Sequence, residues 1–428
     1  MTVVRPFCAV RYDLDRVELS RVIVPPYDVV AVDERSLFFD RDPHNAIRLE
    51  LTPTPEDEAD TDYSEVRETL SSWLGSGVLI QDPTPGYYVM KQSFAAPDGT
   101  HLERIGFYAE LGLEEYDRRV VLPHERTLAG PRADRLKLLR ATRANLSSVF
   151  LLYEDREDML GEILASAFGS AGRVLGAARD DAGVSYELAR LEAPDAIAAL
   201  GNWMADHACV IADGHHRYET ALQYRRERRE EIGDGADAAP FDSTLAFFAN
   251  AYAPGSLLLP IHRVVKNVTA PSPVEWAERL PGWTCRTLEA PDDDRAAAAL
   301  ATETLAKCGD RAAFVADAGN GEFCVLTRRE PLAEALMVEV LERDVIGAVL
   351  GLSLEDIRNG EVLFPKTAER AARSVREGEG NVALYLNPLL PDDVFRVTGR
   401  GEVMPQKSTF FYPKIPTGMT FRVHAESP

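Results

Sequence analysis

Ala208-Cys209-Val210-Ile211-Ala212-Asp213-Gly214-His215-His216-Arg217-Tyr218 changes its periodicity in mid-run, and that change decides how the chain is read. Ala208 to Ala212 is short, apolar and β-prone, the pattern of a buried strand. Beyond Gly214 the spacing turns helical: His215, Tyr218, Leu222 and Arg225 share one face, which predicts a helix over 215–231. A strand that feeds a helix through a glycine leaves backbone N–H groups unpaired at the positive end of the helix dipole, a ready anion site. Gly214 lets an anion approach the backbone. His215, His216 and Arg217 add side-chain donors, and Arg217 suits a two-pronged grip on phosphate. Asp213 can cap the helix, hold a magnesium ion, or do both. An Asp-Gly cap alone is ordinary helix punctuation; two histidines and an arginine directly behind it point to a ligand. Asp213 and His216 are the candidate catalytic groups of the turn.

Working outward, strands are expected at 21–24, 87–94, 104–111, 149–153, 244–250, 312–316, 322–326 and 382–386, and helices at 64–76, 134–146, 193–207, 295–307 and 367–376. The two kinds mingle without strict alternation, which predicts an α/β (α+β, mixed-sheet) protein and not a barrel. Prolines at 271 and 273 suggest a boundary there, giving domains 1–268 and 269–428. The longest stretch without Asp, Glu, Lys or Arg is Ser243 to His262, 20 residues. Its Asn250, Pro254, Gly255 and Pro260 make it strand plus turn and not a membrane span.

The 428 residues are 45% hydrophobic, enough for cores without staples, and carry a net charge of -22. That charge argues against an extended nucleic-acid surface, which needs Lys and Arg against phosphates, but permits one small bound anion. Five scattered cysteines without a CxxC pair suggest neither a zinc site nor a disulfide framework. The opening residues lack a signal-peptide layout, so the cytoplasm is the expected location.

Three further constellations bear chemistry. Pro25-Pro26-Tyr27-Asp28 follows a Val-Ile-Val strand, and its prolines make a rigid loop presenting Tyr27 toward substrate and Asp28 as base or metal partner. His124 to Asn145 is a basic island with Arg126, Arg132, Arg135, Lys137, Arg140 and Arg143. On a helix over 134–146, Leu136, Leu139 and Leu146 form the buried stripe and Arg143 falls on it, so Arg143 must meet a phosphate or a carboxylate. His124 and Glu125 stand before that helix as an acid/base pair or a cap, and Arg135 is a candidate for substrate. Met404-Pro405-Gln406-Lys407-Ser408-Thr409 offers Lys407, Ser408 and Thr409 to phosphate without the glycine spacing of a P-loop. His124 and His262, the latter beside Arg263, are two further candidates for substrate.

The Asp213 to Arg217 run resembles the ParB/sulfiredoxin-like superfamily, whose free-serine kinases carry Asp-Gly-His-His-Arg letter for letter. Over its length the chain is similar to the family called domain of unknown function 1015, through Pro25-Pro26-Tyr27-Asp28-Val29, His124-Glu125-Arg126-Thr127, Asp134-Arg135-Leu136, the 213–219 run, Leu259-Pro260-Ile261-His262-Arg263 and Met404 to Thr409 continuing to Lys414. The resemblance implies a ParB/sulfiredoxin-like nucleotide-binding core with insertions, followed by a C-terminal α/β region. It implies a phosphotransferase using Mg2+ with ATP or ADP, and a small hydroxyl-bearing metabolite as acceptor. The alternative is a regulatory nucleotide binder, with CTP among its ligands, as in partition proteins. A sulfiredoxin-like repair enzyme lacks its thiol, since His215 stands where the cysteine would be. Expected partners are therefore a nucleotide and a small metabolite, no nucleic acid and no membrane, with a homodimer left open.

Overall fold

The structure is a computed structural model that describes residues 1–53, 61–125, 129–233, 238–309, 311–332 and 334–424. The chain divides into two units. The first comprises Met1–Leu257, Val397–Val403 and Pro413–Pro428, and the second Leu258–Arg396 and Met404–Tyr412. The division thus falls at Leu257, ahead of the proline-marked loop, and the chain returns to its first unit after building the second.

The first unit is organised by a mixed sheet. From one edge its strands run Val121–Pro123, Cys209–Asp213, Val149–Tyr153, Ser243–Asn250, His101–Gly112, Tyr87–Ala95, Ser185–Leu191 and Gly172–Arg179, and Val4–Arg5 also pairs with His101–Gly112. Two pairings are parallel, Cys209–Asp213 with Val121–Pro123 and Ser243–Asn250 with Val149–Tyr153. The other neighbours run antiparallel. Val149–Tyr153 and Ser243–Asn250 are buried at every position, as the apolar run Val149–Tyr153 and the apolar middle of Ser243–Asn250 require. Around them Phe107, Phe248, Tyr153, Leu200 and Met204 form the core. Pro123, without an N–H, closes the strand at the sheet's edge, where none is needed.

The predicted mixed α/β class holds, with two local corrections. Val22-Ile23-Val24 is no strand: Leu19–Val22 is a helical turn and only Val24 bridges, to Thr417. Pro25 and Pro26 remove the donors a longer ladder would use. The basic helix spans Ala129–Thr142 and stops because Arg143 takes a left-handed φ of 50°. Arg143 is therefore exposed and not on the buried stripe, while Leu136 and Leu139 are buried as expected, packed with Tyr224 and Phe241.

The second unit holds an antiparallel sheet in the order Trp283–Glu289, Glu322–Arg328, Ala313–Asp317, Val382–Leu386, Arg263–Val265, Val362–Leu363. The helices Asp294–Ala306 and Ala368–Arg376 pack together against it. Cys285 and Cys324 form a disulfide across the first two strands, Cα atoms 6.2 Å apart. Their separation of 39 residues hides a pairing that strand register creates, so the expectation of no disulfide is overturned. Among the described residues no helix is long and apolar enough to cross a membrane.

Candidate functional site

The Asp213–Arg217 turn sits in the first unit where the Cys209–Asp213 strand passes into the His215–Ile232 helix. Cys209 to Ala212 are buried, and the register against Val149–Tyr153 slips between Ile211 and Asp213. Ala212 is the extra residue of a bulge. Because side chains alternate along a strand, one inserted residue reverses which way the next one points, so the bulge re-aims Asp213. Gly214 is the N-cap at φ 84°, a left-handed conformation that favours glycine, and no side chain caps the helix. A Cβ at Gly214 would lie 2.8 Å from Nε of Arg217, so the lost side chain also leaves room for that guanidinium.

Asp213 does not cap the helix; it binds two cations. Its Oδ2 accepts from Nη2 of Arg217 at 2.9 Å and its Oδ1 from Nζ of Lys414 at 2.9 Å. Burial alone would raise the Asp213 carboxyl, but Lys414 and Arg217 outweigh it and hold the group well below the usual carboxylate range. Arg217 also donates from Nη1 to the carbonyl of Ser148, whereas its buried Nε–H has no partner among the described residues. The Arg217 side chain is 9% exposed.

The histidines form a second layer. His124 and His215 are buried, their rings edge to face at 4.6 Å. The His124 backbone N–H donates to Nε2 of His215 at 3.3 Å, so neutral His215 carries its proton on Nδ1, which faces Oε1 of Glu125 at 3.9 Å. His124 donates from Nδ1 to the Ile211 carbonyl. Burial, reinforced for His215 by the neighbouring His124, pushes both imidazoles below the ordinary histidine value. His424 in the same unit is pushed down to about 3, mainly by burial.

A pH prediction follows from these three rings. Burial holds them toward the neutral form in the folded chain, and they take protons once unfolded, so their contribution to stability is complete above about pH 6.5 and is lost as pH falls below it, at up to about 1.4 kcal/mol per pH unit for a ring that stays neutral. Urea midpoints between pH 7 and pH 5 should therefore drop steeply. A flat profile over that window would contradict the assignment. Asp213 adds its own loss only below about pH 4, where its unfolded form takes up a proton.

The Pro25-Pro26 loop brings Tyr27 and Asp28 to the same side of the turn. Tyr27 lies between two guanidinium groups, 4.2 Å from Arg135 and 6.0 Å from Arg217. Burial pushes its hydroxyl up to about 12 against the pull of both arginines. Asp28 is exposed and helps hold Arg217 protonated, after the larger effect of Asp213. Arg135 is not open to substrate. It is buried and donates to Glu50 at 3.0 Å, to Tyr63 at 3.0 Å and to Asp134, an internal network that satisfies an inward-pointing cation. In effect Arg135 takes the place expected for Arg143.

Arg126 and Thr127 fall outside the described residues. Lys407, Ser408, Thr409 and His262 belong to the second unit. Lys407 is exposed at φ 57°, and the Ser408 hydroxyl donates to the Pro405 carbonyl at 2.5 Å within the turn. His262 is buried, pushed down to about 3 by burial and by Arg263, and its Nδ1 faces the Leu386 N–H at 3.5 Å.

Two residues given no role from the sequence matter most, Lys414 and Glu50. Lys414 is a lone charge in Pro413-Lys414-Ile415-Pro416, and a single charge in a buried run must find a counter-charge. Glu50 carries the same signal among Ile47, Leu49 and Leu51.

Asp213 is the residue expected from the sequence to hold magnesium. Each Asp213 oxygen already meets a cation, and among the described residues no three His, Cys, Asp or Glu side chains converge as a metal site.

A family model described as "Protein of unknown function (DUF1015)" matches residues 4–342. No curated protein matches the chain. Among solved structures, a mutant free serine kinase in complex with AMP shares 14% identity at a TM-score of 0.35, covering 74% of this chain and 92% of that one. A conserved hypothetical protein from Pyrococcus furiosus shares 15% at 0.34, covering 74% and 95%. SbnI from Staphylococcus aureus, truncated at its C-terminus, shares 13% at 0.34, covering 71% and 84%.

Proposed function

The chain belongs to the DUF1015 family, and for this member we propose a nucleotide-dependent phosphotransferase that docks a polyphosphate at Gly214 to Arg217 and passes a phosphoryl group to the hydroxyl of a small metabolite. The ParB/sulfiredoxin-like architecture of its first unit is part of the same reading, resting on the Asp-Gly-His-His-Arg run.

One observation carries the proposal: a helix start without a side-chain cap behind a left-handed glycine, beside a buried Arg217 whose Nε–H has no partner among the described residues. An unpaired buried N–H costs about 1 to 3 kcal/mol, and an incoming phosphoryl oxygen would recover it. The dipole of an 18-residue helix adds to the attraction.

Each residue then has a task. Gly214 admits the anion and Arg217 holds its oxygens. Neutral His215, its proton on Nδ1, orients Glu125. Glu125 accepts the proton of the acceptor hydroxyl as that oxygen bonds to the terminal phosphorus and the bond from phosphorus to the nucleotide's bridging oxygen breaks. Asp28, exposed on the neighbouring loop, is the other carboxylate within reach of this role. No step is assigned to a metal.

A second reading, a regulatory nucleotide binder without turnover, is favoured by the double ion pair of Asp213, which leaves that carboxylate committed to Arg217 and Lys414. Phosphorus NMR of the protein with ATP or ADP and a panel of hydroxyl metabolites separates the two. The kinase reading expects a new phosphomonoester signal that disappears in Glu125→Gln. Nucleotide binding without any product over a broad panel would favour the binder.

A further inference from the structure

Lys414 lies 201 residues from Asp213 in sequence, yet it completes the turn. The chain reaches it only after building the second unit. Its placement is not left to a loose tail. On the sheet of the first unit, Arg104 donates to Oε1 of Gln92 at 2.9 and 2.6 Å and to the Pro413 carbonyl at 2.5 Å. Gln92 in turn donates from Nε2 to the Lys414 carbonyl at 3.2 Å. The peptide on either side of the lysine is thus clamped by two buried strand residues. Further along, Thr417 bridges to Val24, Phe421 to Val10, and Arg422 meets Asn145 at 3.0 Å and Glu110 at 3.1 Å.

We infer that Lys414 is the second cation of the anion site, delivered by this C-terminal segment, and that the ligand it selects is a diphosphate or longer chain and not a single phosphate. Arg217 and Lys414 bind different oxygens of one carboxylate, which bridges the two cations. Two cations spaced by a carboxylate match two adjacent phosphoryl groups better than one. An ammonium has three donors, so the bond to Asp213 does not itself prevent Lys414 from donating to a phosphoryl oxygen. Arg104 and Gln92 are positioning residues in this scheme: they fix the backbone that carries the lysine. The inference rests on the docking site proposed above and does not require turnover.

The test is calorimetry of the full chain with inorganic pyrophosphate and with inorganic phosphate. Wild type should bind pyrophosphate at least about tenfold more tightly than phosphate, the worth of one added charge-assisted hydrogen bond. Lys414→Met should lose about tenfold or more for pyrophosphate, change little for phosphate and show a shallower weakening with salt, since one screened charge is gone. Lys414→Arg should keep the preference, which guards against loss by misfolding, and circular dichroism should show both variants folded. Pyrophosphate affinity and salt dependence unchanged in a folded Lys414→Met would overturn the inference, as would equal affinity of wild type for the two anions. Absence of phosphotransfer with the Lys414-dependent preference intact would defeat the kinase reading alone. Absence of any anion binding by wild type would defeat both.

Discussion

Arg217→Lys is expected to weaken nucleotide binding by about ten- to a hundredfold while leaving the chain folded. The exchange keeps a positive charge beside Asp213 but removes the planar fork, and with it the buried Nε–H that has no partner among the described residues. Losing one charge-assisted bond costs about 1.5 to 3 kcal/mol, and each 1.4 kcal/mol is tenfold in affinity. Arg217→Ala is the less informative variant. The side chain is nine-tenths buried and also holds the Ser148 carbonyl, so its removal would leave Asp213 short of a counter-charge and weaken the fold as well as the site. Nucleotide titrations with thermal melts on both variants check this: the lysine variant should separate binding from stability. Unchanged affinity in Arg217→Lys would make Arg217 a purely structural ion-pair partner.

Asp213→Ala is expected to have the largest effect on stability. It strands two largely buried cations, Arg217 and Lys414, whose mutual repulsion is now offset by the carboxylate between them. Breaking such a network costs about 3 to 5 kcal/mol. The account adds a sign that an ordinary core lesion would not show. Pyrophosphate should restore the missing negative charge, so it should raise the melting temperature of the variant by more than it raises that of wild type. A variant as stable as wild type, or one that polyphosphate does not rescue, would mean that the two cations do not face a common anion site.

Much of the turn was legible because its signals are local. A switch from strand to helical spacing at Gly214, with two histidines and an arginine behind it, needs no knowledge of what packs nearby. What could not be read was set by partners distant in the chain. The bulge at Ala212 exists only in register with Val149–Tyr153, yet it decides where Asp213 points. Arg143 is kept off the buried stripe by its own left-handed φ at the helix end, which stops the helix at Thr142. Lys407 drew attention through its polar company, whereas Lys414 stood in an apolar run that looked like core. The disulfide between Cys285 and Cys324 likewise belongs to strand pairing and not to spacing. Local period finds an element; the charges that meet across elements need the fold.

The central claim is that polyphosphate docks at the start of the His215–Ile232 helix, and calorimetric titration of the full chain with ATP, ADP and CTP at low ionic strength tests it most directly. The predicted result is a saturable single-site isotherm for at least one of the three that collapses in Arg217→Lys. No saturation by any of the three at millimolar concentration, or an isotherm that survives that substitution unchanged, would contradict it.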